Sequence, residues 1–241
     1  MLSIALVATF LIRPTNAVAA SNTESEQFLW QNARKEGVTE LPSTLQYKII
    51  RTGLGKHHPE HDSPVACHYK GTLIDGVTEF DSSYKRGTPS VFQPRQVIKG
   101  WTEAMQLMVE GDKWELYIPA DLAYGDSGSP PLIKKGDALI FTMEMIEIKG
   151  TKVDDKFQVR CDVGTGKNCI EKEFLYIEKA KNKFLAVAHE DFVPVIDKEI
   201  ERIGRVSENG TDNNVDWANR RIRILNQFKL SSSTIEPEKD L

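Results

Sequence analysis

The sequence has only three cysteines in 241 residues, too few for a scaffold built on disulfides. It has no excess of basic charge: 31 Lys and Arg face 35 Asp and Glu, for a formal net charge of -4. A nucleic-acid footprint needs clustered cations on a basic domain, so no nucleic-acid partner is expected. No apolar run is long enough to span a bilayer, which takes about 20 residues; the longest run is Leu2 to Ile12. Internal repeats are absent, as are G-x-S-x-G, H-E-x-x-H and G-x-G-x-x-G. Gly164-Thr165-Gly166-Lys167-Asn168 lacks the first glycine and the final hydroxyl residue of a phosphate loop. What is present, 40% hydrophobic and 27% charged residues, is ordinary for a folded soluble chain of one large or two small domains.

Leu2 to Ile12 is followed by Arg13, Pro14 and Ala17-Val18-Ala19-Ala20. An apolar core before small residues at an A-x-A-like site reads as a signal peptide over residues 1–20. The alternative is a buried N-terminal helix or strand, and the lack of Lys or Arg ahead of the core departs from the signal pattern. Cleavage would leave a chain starting near Ser21 with no membrane span. In an oxidising compartment Cys161 and Cys169, eight apart around two glycines, could close a local disulfide; two unrelated thiols are the other reading. Cys67 lies in an alternating stretch and reads as a small buried hydrophobe.

Residues 37–150 hold twelve glycines and eight prolines, whereas residues 151–241 hold four and two. Turn punctuation of that density predicts short strands in the first block, and its loss predicts long helices in the second. The expected division is an N-terminal helical segment at 21–36, a domain at 37–150, a helical domain at 151–230 and a flexible tail at 231–241. Ser25 to Lys35 is amphipathic, with Gly37 as its C-cap. Alternating or β-branched stretches predict strands at 46–51, 65–73, 113–118 and 138–148, with one short helix at 101–108. In the second block Phe174, Ile177, Phe184 and Val187 recur at helical spacing, as do Ile196, Ile200 and Ile203, and Ala218, Ile222, Leu225 and Phe228. Asn168 and Glu171 resemble a capping box. Here 16 cations nearly cancel 17 anions and read as a solvated face. The class is α+β: an antiparallel sheet on a short helix, then a small all-α domain.

Candidates for chemistry are few. His57, His58, Glu60, His61 and Asp62 are the one metal-like cluster, but between prolines they read better as an exposed turn, and no metal is expected. His68 and His189 are single and read as structural. Tyr69, Phe80, Phe92, Trp101, Tyr124 and Phe141 are spread over the first block with Val97, Ile98, Leu132 and Ile133; a core uses the same residue types as a pocket.

Four motifs are more specific. His68-Tyr69-Lys70-Gly71, Phe80-Asp81-Ser82-Ser83, Val97-Ile98-Lys99-Gly100-Trp101 and Leu122-Ala123-Tyr124-Gly125 occur in the order and spacing of FKBP-type peptidyl-prolyl isomerases. Leu41 to Lys48, Gln106-Leu107-Met108 and Ile118 to Gly125 resemble the secreted, macrophage-infectivity-potentiator-like branch. The resemblance spans about residues 37–149. It implies a half-barrel of antiparallel strands wrapped on one short helix, with Trp101 at the pocket floor. Tyr69, Phe80, Val97, Ile98, Tyr124, Leu132, Ile133 and Phe141 would line the walls, and Phe92 would also be substrate-binding. Asp81 and the Tyr124 hydroxyl would be the polar members, Arg86 would pair with Asp81, and the Ile98 N–H would hold the substrate carbonyl. Ser90 and Ser129 replace an aromatic residue and a histidine of the cytosolic members, and Pro131-Leu132 replaces Gly-Ile. These departures bear on ligand affinity and residue preference.

The implied activity is acceleration of Xaa-Pro isomerisation in polypeptide clients, with no cofactor. Macrolide immunosuppressants are implied as ligands of the same pocket. The helical block resembles, more weakly, the D domain of endoplasmic-reticulum disulfide-isomerase relatives, which implies a protein partner or client there. A glycosylation acceptor at Asn209 and the terminal Glu238-Lys239-Asp240-Leu241, related to a retrieval signal, point with the leader to the endoplasmic reticulum or secretion. Bacterial periplasm is the alternative. The competing functions are a non-catalytic FKBP-like binding module and a chaperone whose helical block holds clients.

Overall fold

Side-chain alternation along three strands sets up the main sheet. In β8 (Leu139–Ile148), Leu139, Phe141, Met143 and Met145 point inward. Its neighbours are β7 (Lys113–Ile118), which buries Trp114, Leu116 and Ile118, and β4 (Val65–Leu73). With β1 (Val38–Glu40), β2 (Gln46–Arg51) and β5 (Glu79–Ser82), the antiparallel order is β1-β2-β7-β8-β4-β5, and β6 (Ser90–Phe92) also pairs with β4. The computed structural model describes residues 21–154, 161–166, 169, 171–184, 189–207 and 210–233. The leader at 1–20, the Asn168 cap, Val187, Asn209 and the terminal Glu238–Leu241 lie outside these residues.

The helix α3 (Lys99–Leu107) places Trp101, Ala104, Met105 and Leu107 in the same core as the inward strand residues. A Cβ on Gly100 would stand 2.5 Å from Ile118 Cγ2, so a glycine is what lets this helix lie so close to β7. The helix α1 (Thr23–Asn32) precedes the sheet, and the single-turn α2 (Ser83–Arg86) links β5 to β6, ending at Gly87 with φ 73°.

The four expected strands are present, and the short ones are additional. Three- and four-residue strands lack the length over which alternation can be read. Of these, β3 (His57–Pro59) pairs antiparallel with β9 (Lys152–Asp154). This corrects one expectation. His57 to Pro59 is a strand rather than an exposed turn: His58 is fully buried, with Nδ1 2.9 Å from the Met108 carbonyl oxygen. Its partner β9 lies just past Gly150. Helix α1 starts and stops earlier than its pattern, capped by Asn22 and ending at Ala33 rather than at Gly37.

In the second block α4 (Glu171–Phe184), α5 (His189–Ser207) and α6 (Asp212–Ser233) share a core of Ala180, Phe184, Ile196, Ile203, Ala218, Ile222 and Leu225. Helix α6 runs into the expected tail. Cys161 and Cys169 form a disulfide, and Cys161 packs with Ile177 and Ile224. The block docks on the sheet through polar groups of α6. Asp216 accepts from the Thr52 N–H at 2.9 Å and its hydroxyl at 2.7 Å, and Arg223 donates to the Gly53 and Gly55 carbonyls at 2.8 and 2.7 Å. Asp212 receives Lys113 at 2.8 Å, and Arg220 bridges Asp216 to buried Glu173. No helix among the described residues is long and apolar enough to cross a membrane.

Candidate active site

Trp101 is the second residue after Lys99 at the start of α3, 4% exposed, with three rings set edge-on around it. Tyr69 from β4 has its centroid 5.0 Å away at 80°, Phe141 from β8 5.1 Å at 80°, and Phe92 from β6 5.6 Å at 82°. Phe80 from β5 meets Phe141 at 5.4 Å and 81°. Edge-to-face contacts favour each ring's electropositive rim against its neighbour's face, so the set is cohesive as well as apolar. The Trp101 Nε1–H has no partner among the described residues. Gly71 makes room for the set: a Cβ there would fall 2.6 Å from the Phe80 ring and 2.7 Å from Phe141.

A charged triad borders the rings. Asp81 Oδ2 accepts from the Tyr69 hydroxyl at 2.6 Å, and Oδ1 from Arg86 Nη1 at 2.6 Å. Arg86 Nη2 also donates to the Tyr69 hydroxyl at 2.6 Å and to Ser90 Oγ at 3.3 Å. Burial alone would raise the Asp81 pKa, but the hydrogen bonds from Tyr69 and Arg86 together with the Arg86 charge hold it below the usual carboxylate range. Burial, then the bond to Asp81, raises the Tyr69 phenol. Near neutral pH the triad is therefore Asp⁻, Arg⁺ and neutral Tyr, and each Asp81 oxygen has a protein donor.

The other expected wall residues come from the turn after β7 and from the entry to α3. Val97 and Ile98 pack on the same core. The Ile98 carbonyl accepts from the Trp101 and Thr102 N–H groups at 2.9 and 3.0 Å, which leaves its own N–H outside the helix ladder. Tyr124 is 39% exposed, and its phenol is raised first by burial and then by the Asp81 charge, which places the two in electrostatic reach. Ile133 is buried, its N–H and carbonyl both bonded to Ser129, while Leu132 is 41% exposed. Cys161 and Cys169 lie in the helical block, where they pack with Ile177 and Ile224.

Sequence reasoning missed two supports. Ser83, fully buried, accepts from the Tyr69 N–H at 2.7 Å and donates to the Tyr69 carbonyl at 3.2 Å, fixing the strand that carries the phenol. Its signal was present as the last residue of Phe80-Asp81-Ser82-Ser83. Asn22 and Ser25, at the start of α1, bond to Asp137 and Ala138 after the wall turn, and no local pattern joins them.

Residues 55–146 match the family model for FKBP-type peptidyl-prolyl cis-trans isomerase, and residues 12–49 match the model for the domain amino terminal to it. The chain belongs to the FKBP family. Its similarity runs to the infectivity-potentiator branch: it is 49% identical over 122 residues to a macrophage infectivity potentiator of Trypanosoma cruzi, covering 51% of this chain and 62% of the relative. It is 47% identical over 129 residues to an outer membrane protein MIP of Legionella longbeachae, covering 54% of each chain. Among solved structures, FkpA from Escherichia coli aligns with a TM-score of 0.50 and 37% identity over 53% of this chain and 58% of that one. This FKBP thus spans between about half and three-fifths of the length of the relatives it matches.

Proposed function

We propose that this FKBP accelerates cis–trans rotation of Xaa-Pro bonds in polypeptides of an exported compartment. The observation that carries the reading is Trp101 buried among three edge-on rings, with the Asp81–Arg86–Tyr69 triad at their border. Twisting a peptide bond faces a barrier of about 18–20 kcal/mol because conjugation is lost. For Xaa-Pro this makes exchange slow enough to limit folding. The planar amide is the more charge-separated form, so a dry aromatic surface disfavours it more than the twisted one. The prolyl ring would rest on Trp101 between Phe141, Phe92 and Tyr69, and the Ile98 N–H would hold the preceding carbonyl. Rotation breaks no covalent bond, so the residues need only bind, exclude water and supply that donor. Because Arg86 and Tyr69 already engage Asp81, its charge is available to the pocket as a fixed field rather than as a base.

Export rests on the apolar leader at 1–20, on the Cys161–Cys169 disulfide and on the outer-membrane naming of the Legionella relative. The endoplasmic reticulum is carried only by Asn209 and the terminal Leu241 region, and periplasm remains the other destination. Macrolide ligands would use the same pocket, with Ser90 removing one aromatic wall.

The test is cis–trans exchange of a short Xaa-Pro peptide with the wild-type chain and with Asp81→Leu/Tyr124→Phe. Acceleration by the wild type and its loss in the double variant support the reading. A folded wild type without acceleration would make the domain a binding module. Asp81→Leu alone with full activity would remove its assigned role.

A further inference from the structure

The helical block contains a second recess, about 660 Å³, on the joint face of α4, α5 and α6. None of its lining residues contributes to the prolyl pocket. The cations nearly cancel the anions in the composition of this block, yet here they are segregated: Lys172, Lys179, Lys183, Arg202 and Arg221 line the recess against the single carboxylate of Glu199. That carboxylate is already neutralised three times over, by Arg202 at 2.7 Å and by Lys183 and Arg221 at 3.4 Å each. The apolar part is equally specific. Tyr176 and Trp217 meet edge-on at 5.8 Å and 78°, and Leu175 beside them is 67% exposed.

We infer that this recess binds an acidic polypeptide segment that also carries apolar side chains. Cations on an apolar floor complement carboxylates alternating with hydrophobic groups, and an overall charge of -4 makes the local positive field a feature of this face rather than of the whole chain. A nucleic-acid strand fits less well. Lys172 already lies 4.2 Å over the Trp217 ring and Arg221 4.8 Å over Tyr176, so each ring has a cation on it where a base would stack. Binding here deepens the reading of the chain as a folding assistant but does not depend on its isomerase activity.

The test is fluorescence anisotropy of a labelled proline-free peptide of alternating Glu and Phe, with the full chain, beside its Gln–Phe counterpart. Absence of proline keeps the probe independent of the isomerase pocket. The Glu peptide should bind more tightly, and high salt should weaken it. Lys172→Glu/Lys179→Glu, two surface changes, should cost about tenfold or more in affinity with isomerase turnover unchanged, while Lys35→Glu on the first block should cost little. Equal binding of the two peptides, or equal loss in the Lys35→Glu control, would overturn the inference. So would gain of binding only after removal of residues 234–241, which would make the chain's own acidic tail the occupant, or preference for a single-stranded oligonucleotide. Absence of isomerase turnover in the wild-type chain, with peptide binding intact, would sink the proposed function and leave the recess standing.

Discussion

Asn22 and Asp137 are 115 residues apart in sequence, and their side chains meet at 2.7 Å, Asn22 Nδ2 donating to Asp137 Oδ1. The same Asn22 caps α1 by accepting the Ser25 N–H at 2.9 Å, and its backbone N–H donates to the Gly136 carbonyl at 2.8 Å. Two further hydroxyls continue the seam: Ser25 Oγ accepts from Ala138 N at 2.8 Å and Ser21 Oγ from Ala120 N at 3.1 Å. The first residues after the expected leader therefore hold both ends of the segment that carries Tyr124, Leu132 and Ile133.

Asn22→Ala removes the cap and the Asp137 contact together. Loss of an N-cap costs about 0.5–2 kcal/mol, which should appear as a lower Tm. Release of the wall segment should raise KM for a prolyl peptide more than it lowers kcat. Steady-state kinetics beside thermal melting checks this; an unchanged KM in a destabilised protein would limit the seam to a structural role.

Gly71→Ala puts a methyl group where the Phe80 and Phe141 rings now sit, at 2.6 and 2.7 Å. Either both rings move or β4 shifts, and overpacking of this kind costs about 1–3 kcal/mol. Affinity for prolyl ligands should fall with stability. Titration with a prolyl ligand followed by Trp101 fluorescence reads the effect, and a variant with wild-type affinity would place the rings outside the ligand's path.

Cys67 is fully buried, and burial pushes its thiol up to about 12. With Cys161 and Cys169 bonded to each other, the native chain should show no thiol reactive toward an alkylating reagent near neutral pH. Denaturation should expose one thiol, and reduction all three. Three thiols in the unreduced denatured chain would mean the loop is open in solution.

Glu199, held first by the Arg202 hydrogen bond and then by Lys183, is lowered from 4.5 to about 2. Its folded value lies below the unfolded one, so its contribution is full above pH 4.5 and is lost as pH falls toward about 2. Stability of the helical block, followed by the α-helical signal on acid titration, should decline across that window. Glu199→Gln should flatten the decline; an identical acid profile would assign it to other carboxylates.

Much of this architecture was legible from local patterns. Alternation marks β4, β7 and β8 because a strand with one buried face repeats every two residues, and these strands are long enough to show the repeat. Trp101, Phe80-Asp81 and Leu122-Ala123-Tyr124-Gly125 were legible as motifs because each is contiguous. His58 was misread because β3 is three residues long, and both its strand partner β9 and the Met108 carbonyl that its ring meets lie far along the chain.

The sequence by itself determined the classes of element, the family and the residue types of the aromatic cluster around Trp101, since those reside in neighbouring residues and their spacing. Tertiary structure alone decided which rings meet Trp101, that Asn22 reaches Asp137, that α6 docks on Thr52 and Gly53, and that a charge-balanced helical block turns five cations to one face. Composition sums charge over the chain, whereas helix rotation and packing decide where each charge lies. Contacts between distant residues follow from the closure of the whole core, which no local stretch encodes.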